Sequence, residues 1–351
     1  MRIIIDISHP AHVHLFKNVA IKMLANKHEV LFTTREKDCT IALLDYYQFN
    51  YICFGKNFKS FIGKLWGMLY FTFKLLKVSK TFNPDLLISH TSVYASLTSF
   101  IINKPHITLD DTGNNEQLLF AKLFAKVIIT PDCHHKNLGK KQIKYKGYHE
   151  LAYLHPNNFT PSLEVLSKYN IDKDIKFVIV RIVSWNASHD IGMKGINSRE
   201  LEMLIKTISV YAKIYISSEI PLSENYKSLE LNILPQDIHH ILAYATLYFG
   251  EGASMASECA MLGTPVIYTN KAMAGTILEQ QKHGLLFWIK DFSEALNKVV
   301  ELLNTPNLKE VFLKKKNIMI SEKIDVSSFL EGFLEDNQKN YSFIKRSKNN
   351  S

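Results

Sequence analysis

The chain of 351 residues, 46% hydrophobic and with a formal net charge of +9, is long for one core and suits two domains of about 150 residues each. Its longest apolar piece, Leu65–Phe73, falls short of the ~20 residues needed to cross a bilayer, which excludes a spanning helix there. Four cysteines without CxxC spacing, behind an opening MRIIIDIS that reads as a strand and not as a signal peptide, argue against a disulfide framework and imply a reducing cytoplasm.

The charge is unevenly placed. Tyr46–Pro84 contains no Asp or Glu but carries Lys56, Lys59, Lys64, Lys74, Lys77 and Lys80, and Cys133–His149 is a second acid-free, lysine-bearing run. Anionic lipid, nucleic acid, a phosphorylated substrate or a merely solvated basic face each account for such runs. No recognised DNA- or RNA-binding signature accompanies the charge, so nucleic acid is not an expected partner.

In chain order, Arg2–Ile7 is a continuous apolar strand of the kind found in the middle of a parallel sheet; it runs through Ser8-His9-Pro10-Ala11-His12 into a helix reaching about Asn26. Strands are then predicted at Glu29–Thr33, Tyr51–Phe54, Asp85–Ser89, His106–Leu109, Val127–Thr130 and Ile143–Lys146. Helices alternate with them at Thr40–Tyr47, Ser60–Lys80, Val93–Ile102 and Glu116–Phe124. The pattern thins after Gly147, and Leu154–Pro161 reads as a linker. A second series begins at Phe177–Val183 and continues through Ser198–Ala212, Ile214–Ser217, Ile238–Tyr244, Thr246–Phe249, Met255–Leu262, Val266–Tyr268, Ile277–Lys282 and Phe292–Asn304. Two doubly wound α/β domains follow, over residues 1–155 and 156–335, with a basic tail at 336–351 expected to be disordered. Open parallel sheets bind ligands beyond the carboxyl ends of their strands, so the ligand is expected in a central cleft that both domains face.

Four constellations stand at such strand ends or on exposed helices. Thr246–Asn270 reads as strand, Gly-Glu-Gly-Ala-Ser turn, helix and strand. Gly250 and Gly252 would let backbone N–H groups approach an anion at the helix start, and Glu258, one turn after Ser254, suits a pair of ribose hydroxyls. Asp6, His9, His12 and His14 cluster around the first turn. Their spacing matches no usual zinc pattern, so no metal is expected, and a histidine there suits removal of a proton from a hydroxyl. The loop Arg181–Asp190 follows the first strand of the second domain: Arg181 suits a phosphate, Ser184 shares its loop, and His189 or Asp190 could orient a sugar. Ser89-His90-Thr91-Ser92 and Asp110-Asp111-Thr112-Gly113 end two strands, and Thr91, Ser92, Asp110 and Asp111, with His9, suit an acceptor pocket. Separately, Ser60–Lys80 interleaves Trp66, Tyr70 and Phe73 with lysines, which as a helix suits an anionic membrane surface.

Gly252-Ala253-Ser254, Glu258 and Leu262-Gly263-Thr264-Pro265 together resemble the donor-nucleotide motif of MurG-like GT-B glycosyltransferases and of the related UDP-N-acetylglucosamine 2-epimerases. The whole chain except its tail more closely resembles the DUF354 family, in Ile5–His14, Arg181–Asp190 and Gly250–Glu258. The resemblance implies a GT-B fold, Glu258 on the ribose, Gly252, Ala253 and Ser254 facing the diphosphate, Leu234 at the uracil and His12 on the acceptor side. Three departures qualify it: the glutamine pair that reads N-acetylglucosamine in MurG-like enzymes has no clear match around residues 270–276, and the other two lie at the first loop. Ser8-His9-Pro10-Ala11 replaces the glycine-rich first loop of MurG-like enzymes, and the same residues lack the Arg and Glu of the epimerase Thr-Arg-Pro-Glu signature.

The expected function is therefore a nucleotide-sugar glycosyltransferase, with a UDP-sugar as substrate, acting on a glycan or lipid-linked acceptor in envelope biosynthesis without cofactor or metal. His12, aided by Asp6 or His14, would take the acceptor proton. A UDP-sugar 2-epimerase or hydrolase, or a non-catalytic nucleotide-sugar-binding protein at the inner face of the membrane, are the alternatives.

Overall fold

The computed structural model describes residues 1–58, 61–183, 195–270 and 275–336. The chain forms two compact units, one of Met1–Asn158 together with the segment beginning at Ile324, the other of Phe159–Lys323.

Unit 1 alternates β1 (Arg2–Asp6), α1 (Pro10–Ala25), β2 (Glu29–Glu36), α2 (Thr40–Tyr46), β3 (Tyr51–Lys56), α3 (Phe61–Phe82), β4 (Leu86–His90), α4 (Val93–Ile101), β5 (His106–Leu109), α5 (Asn115–Phe124), β6 (Val127–Pro131), β7 (Gln142–Tyr145) and α6 (Leu151–Leu154). The strands pair in parallel in the order β3-β2-β1-β4-β5-β6-β7. The apolar run at Ile3, Ile4 and Ile5 is buried because β1 lies mid-sheet with helices over both faces. Each such side chain contributes about 1.5–3 kcal/mol by leaving water. Helix α3 presents Phe71 and Leu75 to a core shared with Ile4, Leu87 and Ala95, against which Tyr70 also packs. Its outer face carries Trp66, Leu69, Phe73, Lys77 and Lys80, all exposed and at helical spacing. Tyr70 thus belongs to the inner side, not with Trp66 and Phe73 as the sequence suggests.

Unit 2 runs α7 (Leu163–Lys168), β8 (Phe177–Ile182), α8 (Ser198–Ser209), β9 (Lys213–Ser218), α9 (Ile238–Tyr244), β10 (Leu247–Gly250), α10 (Ala253–Leu262), β11 (Val266–Tyr268), α11 (Gly275–Lys282), β12 (Leu286–Trp288), α12 (Phe292–Leu303) and α13 (Leu308–Ser321). Its parallel sheet has the order β12-β11-β10-β8-β9. The chain reverses direction at Gly263, which ends α10 in the left-handed conformation (φ 75°). Strand β12 and helix α13 extend the predicted series. The first is too short to show a period, and α13 buries only Leu308, Phe312 and Met319 within a lysine-rich sequence.

The segment from Ile324, assigned by sequence to the second domain, packs on unit 1 instead. Ile324 N–H donates to the Lys146 carbonyl at 2.9 Å, and Ser327 Oγ donates to the Ala152 carbonyl. Residues 326–336 are helical and bury Val326, Leu330 and Leu334 at a spacing of four. The expected disordered tail lies outside the described residues beyond position 336.

Candidate functional site

In unit 2, β8 and β10 are neighbours, with Arg181 and Gly250 in register at their carboxyl ends. A Cβ on Gly250 would meet the Arg181 carbonyl at 2.7 Å, and one on Gly252 would meet Arg181 Cγ at 3.3 Å. Neither glycine has positive φ. The turn therefore needs glycines because the backbone and stem of Arg181 pass against it, a reason the sequence did not reveal. Gly252 is the N-cap of α10 and supplies no side-chain cap, while Ser254 in the first turn is exposed. The positive end of the α10 dipole, with its first N–H groups, is the part of this turn suited to an anion.

Arg181 donates from Nη1 to Ser217 Oγ at 2.8 Å and from Nη2 to the Glu219 carboxylate, which fixes the guanidinium at the strand ends. Glu258 is buried, its Oε1 3.1 Å from His239 Nε2 on α9. Leu234 precedes α9 with an exposed side chain; its N–H donates to Tyr169 Oη at 3.0 Å and its carbonyl accepts from Asp237 N–H at 3.0 Å. Both backbone groups of Leu234 are thus engaged within unit 2. Through Asp237 and His239 the short segment from Leu234 leads directly to Glu258. Ser184 and His189 lie outside the described residues.

In unit 1 the predicted residues separate into a structural group and a cluster. Asp6 is fully buried: Oδ1 accepts from Arg35 Nη1 at 2.7 Å and from Thr33 Oγ1 at 2.8 Å, and Oδ2 accepts from Ser92 Oγ. It belongs to a buried ion pair and not to His12. Ser92 also caps α4 by accepting from Ala95 N–H. Asp110 is consumed by its turn, accepting from His134 Nε2 at 2.7 Å, Thr112 Oγ1 at 3.1 Å and Gly113 N–H at 3.0 Å. His14, two residues along α1 from His12 and so on another face, packs against Tyr153 and Tyr47. His9 caps α1, its Nδ1 accepting from Ala11 N–H at 3.2 Å.

The cluster comprises His12, His90, Asp111 and His149 at the carboxyl edge of the sheet. His90 Nε2 lies 3.0 Å from Asp111 Oδ1, the His12 ring stacks on His90 at 4.5 Å, and His149 meets His90 edge-on at 5.4 Å. Burial, followed by the neighbouring His90 and His9, holds His12 well below the usual histidine range. Ser8 N–H donates to His12 Nδ1 at 3.3 Å, so the neutral ring carries its proton on Nε2 and offers a donor there, whereas a proton acceptor was expected. Burial opposes the His90 cation, but the hydrogen bond and charge of Asp111 outweigh it and raise its pKa. Burial likewise opposes ionisation of Asp111, yet His149 and His90 hold the carboxyl well below its usual range. Burial pushes His149 down to about 4, and Tyr145 Oη lies 2.6 Å from its Nδ1.

Sequence reasoning brought the two strand-end segments together but chose Thr91, Ser92, Asp110 and Asp111 over His90, and it did not select His149. The structure supplies the missing signal in Thr91, a β-branched residue at φ 45° beside His90. Such a residue in the left-handed region is strained by about 1–3 kcal/mol, and strain of that kind collects at functional sites.

The family model described as "Protein of unknown function (DUF354)" matches residues 1–328. An uncharacterized protein of Methanocaldococcus jannaschii is 27% identical over 278 residues, 75% of this chain and 80% of that protein. Among solved structures, the UDP-GlcNAc 2-epimerase of Neisseria meningitidis bound to UDP-GlcNAc superposes with a TM-score of 0.66 at 15% identity, over 97% of this chain and 100% of that one. The spinosyn rhamnosyltransferase SpnG complexed with thymidine diphosphate gives a TM-score of 0.62 at 11% identity, over 95% and 100% of the two chains. This likeness, with the two doubly wound parallel sheets, establishes the expected α/β GT-B fold class.

Proposed function

The chain belongs to the DUF354 family, and on that premise we propose that it is a nucleotide-sugar-dependent enzyme, a glycosyltransferase using a UDP-sugar. The observation that carries this reading is the β10–α10 turn, where an uncapped helix start with an exposed Ser254 stands beside Arg181 at the strand ends. A diphosphate leaving group gains about 0.3–1 kcal/mol, and more where partly buried, from the helix dipole. A guanidinium adds charge-assisted hydrogen bonds. Stabilising the departing diphosphate in this way lowers the barrier to transfer. Glu258 and the Leu234 segment take the ribose and base. On unit 1, the pole of His12, His90, Asp111 and His149 takes the acceptor and manages its hydroxyl proton, with His12 Nε2–H as a hydrogen-bond donor to it.

Incubation with UDP-N-acetylglucosamine and no acceptor tests the reaction class. A transferase leaves the nucleotide sugar almost unchanged, whereas rapid conversion to the 2-epimer, or release of UDP, would replace the transferase reading with an epimerase or hydrolase.

The acceptor is glycan or lipid-linked, and a membrane surface is its proposed setting. No helix of the described residues is long and apolar enough to cross a membrane. The exposed stripe of Trp66, Leu69, Phe73, Lys77 and Lys80 on α3 supports a peripheral contact, with rings entering the interface and lysines meeting anionic headgroups. Flotation with liposomes containing phosphatidylglycerol should be strong and should fall at least severalfold for Trp66→Ser/Phe73→Ser. Flotation that ignores both the anionic lipid and the substitutions would refute the contact.

A further inference from the structure

The pole on unit 1 has a donor arrangement that proton transfer alone does not explain. One ligand atom from each of His90, Asp111 and His149 lies within 4.8 Å of those of the other two. Ligands about 2.0–2.2 Å from a tetrahedral ion are roughly 3.3 Å apart, so small side-chain adjustments would close this triangle around a cation. His90 Nε2 and Asp111 Oδ1 already stand 3.0 Å apart.

The outer contacts orient the donors inward. Thr91 Oγ1 donates to Gln117 Oε1 at 2.9 Å, which leaves the same oxygen to accept from His90 Nδ1–H at 3.3 Å. With Nδ1 engaged by Thr91, His90 Nε2 faces Asp111 Oδ1, so a metal cation can take the place of the proton that bridges them. Tyr145 Oη occupies His149 Nδ1, and the buried Nε2 of His149 has no hydrogen-bond partner among the described residues. An orphaned nitrogen at such a place is the third donor of an incomplete set.

We propose that His90, Asp111 and His149 bind one divalent transition-metal ion of the zinc class at the carboxyl edge of the unit 1 sheet. Two imidazoles and one carboxylate are a donor set for Zn2+ and similar ions, and they leave open positions for a hydroxyl or water. An ion there supplies Lewis-acid activation of that hydroxyl. Thr91 and Gln117 are positioning residues that fix the His90 tautomer. The expectation of no metal rested on the spacing of Asp6, His9, His12 and His14, a different set of residues; the proposal rests on unit 1 alone and not on the nucleotide-sugar reading.

The test uses the full chain, stripped with a chelator and titrated with Zn2+ without nucleotide, then with Co2+ while its visible d–d absorption is followed. The wild type should take up one equivalent and show imidazole-ligated Co2+ bands. His149→Ala and Asp111→Asn should weaken uptake at least 100-fold, and Thr91→Val by about 10–100-fold with retained circular dichroism. Sub-stoichiometric uptake by the wild type, or folded Asp111→Asn and Thr91→Val proteins binding as tightly as wild type, would overturn the proposal. Nucleotide binding can be measured separately on the same preparations, so failure of one reading is distinguishable from failure of the other.

Discussion

Asp6→Ala is expected to lose about 3–5 kcal/mol of folding stability. The carboxylate is fully buried between β1 and β2, and its removal leaves the Arg35 guanidinium, itself 1% exposed, without its counter-charge. Thr33 and Ser92 lose an acceptor at the same time, and the Ser92 cap of α4 is loosened with them. The Arg35 cation keeps its places over the Tyr94 ring at 4.7 Å and the Phe71 ring at 6.0 Å, which cannot replace an ion pair. Urea denaturation measures the effect; a loss below about 1 kcal/mol would show that the pair is not what holds these strands' ends. Asp6→Leu combined with Arg35→Met should recover much of the stability, because no charge is then left buried.

Asp6 also shows where sequence reading stops. Its place at the end of an apolar strand next to three histidines suggests chemistry, and only the pairing of β1 with β2 brings Arg35 to it. The strand and helix alternation was legible because apolar runs and their polar breaks are local, and so were the β10–α10 turn and the partnership of the segments ending β4 and β5. His149 was not legible: it joins His90 and Asp111 only through the position of β7 at the sheet edge. His14 could have been set apart from His12 by helical geometry alone, since two residues along a helix point away from each other. Gly250 and Gly252 were correctly marked as special, but the physical reason is the passage of Arg181 and not backbone freedom.

The proposed nucleotide site allows a substitution that separates folding from binding. Gly252→Asp places a carboxylate at the N-cap of α10, where it can accept from the first free N–H groups and stabilise the helix by a few tenths of a kcal/mol. The new Cβ meets Arg181 Cγ at 3.3 Å, a contact the flexible side chain can relieve. The same carboxylate occupies the position proposed for the diphosphate and repels it. The helix-end interaction it cancels amounts to about 1–2 kcal/mol, so affinity should fall about 5- to 30-fold while the fold is kept.

Isothermal titration of UDP into the wild type, Gly252→Asp and Glu258→Ala therefore tests the central claim most directly. Saturable binding to the wild type, weakened about fivefold or more in folded Gly252→Asp and also weakened in Glu258→Ala, is the predicted result. No binding to the wild type, or equal binding by all three proteins, would contradict a nucleotide-sugar site at the start of α10.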